Sequence, residues 1–289
     1  MIKNFFRVDG PAIIAFSGGR TSGFMLWHIL NYYDGKLPND VHVVFANTGK
    51  EMPETLDFIQ ECSQRWTVPV TWLEYDPNCK FQTKIVNHNS ASRNGEPFEL
   101  LIDRYKQLPN MHHRICTAHL KTKRFARFGR HELKWKFWTN VIGIRADEKR
   151  RFIGKEKPKE FPWHSIAPCV YADCTSRDVV NFWKEQPFNL NLESVNGATP
   201  EGNCDLCFLK GAKLLQGIMR KDPSKATWWI AQEQKKYTVT KTGKPIKQEN
   251  NYFHNPKIRP TYKQLLTNVE SQGDLFDDGV GSIDCMCTD

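Results

Sequence analysis

Short apolar runs alternate with longer stretches of helical periodicity through roughly the first 170 residues of the chain. Ala12 to Phe16 is apolar without interruption, as in a strand buried on both faces, and Gly23 to Tyr33 then repeats its apolar positions with helical spacing. Val41 to Ala46 and Val70 to Tyr75 read as a second and a third strand. Between them Pro53 to Trp66 reads as a helix, with Leu56, Phe58, Ile59 and Cys62 on one side. A further helix is predicted from about Thr117 to His131, a fourth strand over Phe137 to Ile144, and a fifth over His164 to Val170. This alternation predicts an α/β fold: a Rossmann-like parallel sheet with helices on both faces, ligands sitting beyond the carboxyl ends of the strands. Ser17, Asn47 and Arg145 emerge at those ends.

From about Thr175 the pattern changes. Helical stretches at Ser176–Glu185, Leu206–Arg220 and Ser224–Lys235 are followed by a hairpin-like Tyr237–Phe253, a helix near Tyr262–Glu270 and an acidic tail. The expected organisation is an α/β domain over 1–174 and a smaller, mostly helical region over 175–289. Residues 77–113 are polar and turn-rich, which predicts a mobile loop or lid.

The turn after the first strand changes the picture from fold to chemistry. Ser17-Gly18-Gly19-Arg20-Thr21-Ser22 joins a strand to a helix, a geometry in which backbone N–H groups converge on an anion. Two glycines let a phosphate approach closely, three hydroxyls surround the same point, and Arg20 is a candidate fixed charge. There is no lysine, and the spacing is too short for a GxxxxGK-Ser/Thr phosphate loop. After the second strand, Asn47-Thr48-Gly49 offers side chains for an adenine or ribose. Arg145, Arg150 and Arg151 follow the fourth strand, with Asp147 and Glu148 between them, placed either to bind Mg²⁺ or to pair with the arginines.

Charge narrows the partners. The net charge is +9, and residues 121–160 hold fourteen Lys or Arg against five Asp or Glu, so this window accounts for the whole imbalance. Aromatic residues Phe125, Phe128, Trp135, Phe137 and Trp138 are interleaved there. Such a surface suits phosphate-bearing partners, nucleic acid included, or is a solvated helix face that also grips a nucleotide. Nine cysteines in a chain without a signal-peptide pattern or a membrane-length apolar run point to a reducing, cytoplasmic setting, where clustered cysteines bind metal more often than they bridge. Cys204 and Cys207 form a CxxC pair predicted at the start of a helix, and Cys285 and Cys287 close the chain. Cys62, Cys169 and Cys174 read as core or surface thiols, and His112, His113 and His119 as ordinary polar residues.

Four islands together carry a resemblance. SGGRTS at 17–22, NTGxExPET at 47–55, RxCTxxLK at 114–121 and GIRADExRR at 143–151 occur in the order and at about the spacing of the phosphoadenosine phosphosulfate (PAPS) reductase family, within the adenine nucleotide α-hydrolase-like, PP-loop ATP pyrophosphatase proteins. The similarity covers about residues 10–220. The SGGRTSG and CxxCFLKG segments look like members carried by phages and prophages.

The resemblance implies a loop binding ATP or a sulfated adenine nucleotide (PAPS or adenosine phosphosulfate), with Lys121, Arg145, Arg150 and Arg151 offsetting developing negative charge. Iron–sulfur members of the family match Cys116, Cys204 and Cys207, so a [4Fe–4S] cluster is expected, completed by Cys285 or Cys287 or left with one iron free to hold sulfide. Structural Zn²⁺ on Cys204, Cys207, Cys285 and Cys287 is the rival. The C-terminal ECGxH segment of thiol-dependent PAPS reductases is missing from this sequence. The leading expectation is therefore ATP α–β cleavage with Mg²⁺, adenylating a substrate for sulfur transfer, with tRNA or DNA as candidate acceptor. A sulfonucleotide reductase releasing sulfite, with a tail cysteine as nucleophile and a thioredoxin-like reductant, is the second expectation. A non-catalytic nucleotide-sensing partner is the third.

Overall fold

The structure is a computed structural model and describes residues 2–154, 162–239, 241–245, 252–254 and 258–271. In chain order the strands are β1 (Ala12–Ala15), β2 (Val41–Asn47), β3 (Val70–Tyr75), β4 (Thr83–Val86), β5 (Trp138–Ile142) and β6 (Trp163–Ile166). They form one sheet in the order β4-β3-β2-β1-β5-β6. All pairs are parallel except β3 with β4, which is antiparallel. β1 lies at the centre, with Ala12 opposite both Val41 and Thr139. Every residue of β1 is buried, as its unbroken apolar run requires when both faces are covered.

Alternation along β1 divides the layers. Ile14 and Phe16 face α1 (Arg20–Tyr32) and α2 (Pro53–Arg65). Ile13 and Ala15 face Phe125 and Phe128, from a helical segment made of α4 (Lys123–Arg127) between π-helical turns at Thr117–Thr122 and Phe128–Glu132. A third core joins Tyr75 of β3 and α3 (Glu96–Tyr105) to α7 (Ala212–Lys221), α8 (Ala226–Gln234) and α9 (Tyr262–Ser271), around Phe98, Leu215, Trp229 and Tyr262. The molecule is thus a Rossmann-like α/β sheet with a helical C-terminal layer.

Three expectations change here. The stretch 77–113 is not a plain loop: it contributes β4 and α3, and α3 buries Phe98, Leu101 and Ile102. Its helical period is short and sits between Asn- and Ser-rich turns, which mask it in the sequence. The fifth strand ends at Ile166, because Pro168 opens α5 (Pro168–Tyr171) at a first-turn position. The CxxC pair lies on turns ahead of α7, not at the start of a helix. α6 (Ser176–Glu185), just past the boundary expected at 174, packs on α1: Trp183 Nε1 donates to the Arg20 carbonyl at 2.8 Å. Cys285, Cys287 and the inner part of the expected hairpin lie outside the described residues.

Candidate functional site

The loop after β1 is shaped by its glycines. Gly18 has φ +77°, and a Cβ there would stand 2.7 Å from Thr55 Cγ2 and 2.8 Å from Ile59 Cδ1. Only glycine fits that position. Gly19 caps α1, and a Cβ on it would meet nothing nearer than Ser17 Oγ at 3.7 Å, so its outer side is open. No side chain caps the helix, and the first-turn N–H groups are left for an external acceptor. Ser17 Oγ donates to Ser22 Oγ at 3.0 Å, and Ser22 Oγ to the Gly19 carbonyl at 2.9 Å, which fixes the hydroxyl rim.

Arg145 reaches this rim from beyond β5 and donates through Nη1 to Thr21 Oγ1 at 3.0 Å. Asp147 holds its Nε at 2.9 Å, and Glu148 lies 3.3 Å from its Nη2. Glu148 also receives Arg151 Nη1 at 2.5 Å, while Arg150 is exposed. In this structure the two carboxylates position arginines.

The sequence assigns Arg20 a charge at the loop, and the structure turns its guanidinium away. Nε donates to Asn189 Oδ1 (2.9 Å), Nη1 to Thr199 Oγ1 (2.8 Å), and Nη2 to the carbonyls of Leu190 and Leu192 (2.5 and 2.7 Å). The side chain clamps residues 189–199, and what Arg20 offers the loop is backbone N–H. Asn47 and Thr48 are likewise committed within the fold. Asn47 is fully buried, donating to Glu74 Oε1 (2.6 Å) and the Ser92 carbonyl (2.8 Å) and accepting from Gly49 N–H (3.1 Å). Thr48 donates through both N–H and hydroxyl to Glu51 Oε2 at 2.9 and 2.8 Å. These contacts hold the end of β2 in shape.

That end of β2 docks on the CxxC turn. Glu51 forms an isolated antiparallel bridge with Cys204, and Asp205 N–H donates to the Lys50 carbonyl at 2.8 Å. Lys50 Nζ meets Asp205 Oδ2 at 2.8 Å with both side chains about nine-tenths buried. Trp229 Nε1 donates to the other oxygen of Asp205 at 2.8 Å, and Lys210 Nζ to the carbonyls of Cys204 and Asp205. Beneath this lattice lies a small cavity of about 20 Å³ lined by Cys116, Cys204 and Cys207, with Thr48, Lys121 and Trp229 among its other walls. Thr48 Oγ1 is 3.5 Å from Cys204 Sγ. Burial pushes the Cys116 thiol up, against the hydrogen bonds of Thr117 and the charges of Lys121 and Arg114.

Three thiols from two distant islands thus share one cavity, although the described residues contain no group of three His, Cys, Asp or Glu side chains close enough to hold a metal ion. His112 and His113 are exposed; His119 bonds Tyr105 Oη and is held down to about 4 by burial, with Lys123 and Arg124 adding to it. The residues that sequence reasoning missed are Lys50, Glu51, Glu74 and Asp205. Lys50 and Glu51 stand inside a recognisable island, but their partners lie far along the chain. Among the described residues no helix is long and apolar enough to cross a membrane.

The phosphoadenosine phosphosulfate reductase domain matches residues 11–156. The uncharacterized nin region protein ORF290 of Escherichia phage lambda is 31% identical over 221 residues, 73% of this chain and 69% of its own length. Among solved structures, the U34-tRNA thiolase NcsA from Methanococcus maripaludis with its [4Fe-4S] cluster is 15% identical and aligns over 78% of this chain and 75% of that one, with a TM-score of 0.43. A loop shaped by Gly18, an uncapped α1 and a domain match over half the sequence lead to one assignment: this chain belongs to the phosphoadenosine phosphosulfate reductase domain family.

Proposed function

We propose that the chain is an ATP-dependent sulfur-transfer enzyme that seats the nucleotide's phosphates on the Ser17–Ser22 loop. The observation that supports this most is the uncapped N-terminus of α1, open at Gly19 and overlooked by Arg145. An acceptor oxygen attacks the α-phosphorus, the bond to the α–β bridging oxygen breaks, and pyrophosphate leaves with that electron pair. Sulfur then displaces AMP from the adenylated acceptor. Backbone N–H groups at 18–22 and the guanidinium of Arg145 stabilise the charge that grows on the leaving oxygens. Arg151, Arg150 and Lys121 add positive potential, and Asp147 and Glu148 orient Arg145 and Arg151. Mg²⁺ arrives with the nucleotide.

Cys116, Cys204 and Cys207 are the residues that would hold a cluster: they are soft donors around one cavity, which suits iron–sulfur or zinc rather than Mg²⁺. A [4Fe–4S] cluster held by those three thiols alone would supply an iron site for sulfide, and one completed by Cys285 or Cys287 would be closed to it. The nucleotide-binding unit is proposed to be 1–174 and the cysteine-bearing unit 175–289. The basic surface of residues 121–154 is proposed to receive a tRNA or DNA acceptor, in a cytoplasmic setting.

The test incubates the reduced protein anaerobically with ATP, Mg²⁺, sulfide and cellular RNA or DNA, and measures pyrophosphate, AMP and sulfur incorporation. Stoichiometric pyrophosphate and AMP support the proposal. Sulfite released from PAPS with thioredoxin, and no pyrophosphate from ATP, would replace it with the reductase reaction. Tight nucleotide binding with neither product would leave a sensing role.

A further inference from the structure

We propose that Cys169 and Cys174 form a redox-active dithiol that closes to a disulfide on reaction with a hydroperoxide. The helix α5 ends in a Schellman arrangement: Cys174 N–H donates to the Cys169 carbonyl at 2.8 Å, Asp173 N–H donates to the Val170 carbonyl at 3.2 Å, and Asp173 takes φ +55°. In that motif the side chain just past the turn folds back on the one three residues inside the helix end, a contact usually made by two apolar residues. Here both positions are cysteine. The backbone bond makes the two residues neighbours across one turn, and a disulfide needs a Cα separation of about 4.4–6.8 Å. Cys174 Sγ donates to the Ala172 carbonyl at 3.8 Å within the same turn, and the two thiols perturb one another's ionisation in opposite directions.

The pair is chemically asymmetric. Cys169 is fully buried and Cys174 is 8% exposed. The neighbouring Cys169 S–H pulls the Cys174 thiol below its ordinary pKa, against burial and the carboxylates of Asp178 and Asp173. Cys174 is therefore the attacking sulfur and Cys169 the resolving one. The Cys174 thiolate attacks a peroxide oxygen; the S–O bond forms, the O–O bond breaks and hydroxide leaves. Cys169 then attacks the sulfenic sulfur, the S–S bond forms, and the second hydroxide leaves and takes up the Cys169 proton as water. Two thiols are oxidised and one hydroperoxide is reduced.

The position of the pair gives its oxidation a consequence. The Cys174 carbonyl accepts from Ala146 N–H at 2.8 Å, and Ser176 N–H donates to Asp147 Oδ2 at 3.3 Å, so this turn supports the segment that aims Arg145 at Thr21. Drawing the sulfurs together moves that support.

One tryptic peptide, ending at Arg177, carries both thiols and no other cysteine. The full-length reduced protein is treated with hydrogen peroxide and mapped by mass, with the half-buried Cys79 as comparator. The expected result is loss of two hydrogens from that peptide before Cys79 is oxidised, reversed by dithiothreitol. Cys169→Ser should leave a sulfenic acid on Cys174 that a dimedone probe traps, and Cys174→Ser should leave Cys169 unmodified. An unchanged peptide at peroxide levels that oxidise Cys79, or a disulfide that forms only after unfolding, would overturn the proposal. Weaker ATP binding by the oxidised form is a second readout. That readout alone rests on the nucleotide reading, so the two fail separately.

Discussion

The nucleotide loop and the cysteine cavity stand at the ends of neighbouring strands, β1 and β2, and are built by opposite means. The loop is made of backbone: a glycine in the left-handed region, an uncapped helix end and a rim of short hydroxyls, all within six residues. The cavity is made of side chains gathered from residues 48, 98, 116–121, 203–208 and 229, and it keeps its shape through a buried ion pair and an indole on the same carboxylate. A backbone site presents its donors from one short segment, even where distant residues brace it. A side-chain site fails when any of several distant partners is removed.

That contrast can be broken at either end. The largest expected effect is Gly18→Val, which puts a branched side chain into a left-handed position and onto Thr55 and Ile59. It should destabilise by about 2–5 kcal/mol and weaken ATP binding by at least about 100-fold, read by urea unfolding and calorimetry. Asp205→Ala leaves Lys50 buried without its partner. The expected loss is about 3–5 kcal/mol, together with faster alkylation of Cys204 and Cys207 and little change in ATP affinity.

The helical layer also contributes to the pH dependence. Burial holds Glu233 up at about 7, above its usual 4.5, so the folded state binds the extra proton. The Glu233 contribution should therefore fall by an amount of order 3 kcal/mol as pH rises from roughly 4.5 to 7. It runs against His28 and His119, which burial holds down to about 4 and whose contributions rise over much of that range. Glu233→Gln should remove the falling part, so that stability climbs more steeply with pH in unfolding titrations. Arg20→Gln sharpens the contrast from within the loop. It should lower stability by about 2 kcal/mol while ATP affinity stays within about threefold, and a loss as deep as that of Gly18→Val would put the guanidinium back on the phosphates. The smallest effect is expected from Gly19→Ala. Its open outer side accepts the methyl, so stability should fall only by the N-cap preference of glycine over alanine, about 1 kcal/mol, while ATP binding weakens by about tenfold because the methyl stands where the anion is proposed to approach.

What could be read in the sequence follows the same division. The strand, turn and first helix are legible because each signal is local: an unbroken apolar run, two glycines, then a helical period. The order of β2, α2, β3 and β5 is legible for the same reason. α3 is not, because its three core residues Phe98, Leu101 and Ile102 are set between polar turns. Arg20, Asn47 and Thr48 sit inside correctly recognised islands and still do other work than their positions suggest, since the groups that claim them, Asn189, Thr199, Glu74 and Glu51, are fixed only by tertiary packing. Lys50 with Asp205 is the extreme case: two charges more than 150 residues apart, each unremarkable in its own stretch.

A methyl group on Gly23 would sit 2.7 Å from the ring of Trp183, so the hydrogen at that position is what lets α6 lie flush on α1. The uncapped end of α1 is consequently braced from behind by residues 183–199, whereas the family domain ends at 156. Anyone trimming the chain to that domain would keep every residue of the signature and discard the beam it leans on. The recognisable motif and the smallest working unit are different lengths of polypeptide.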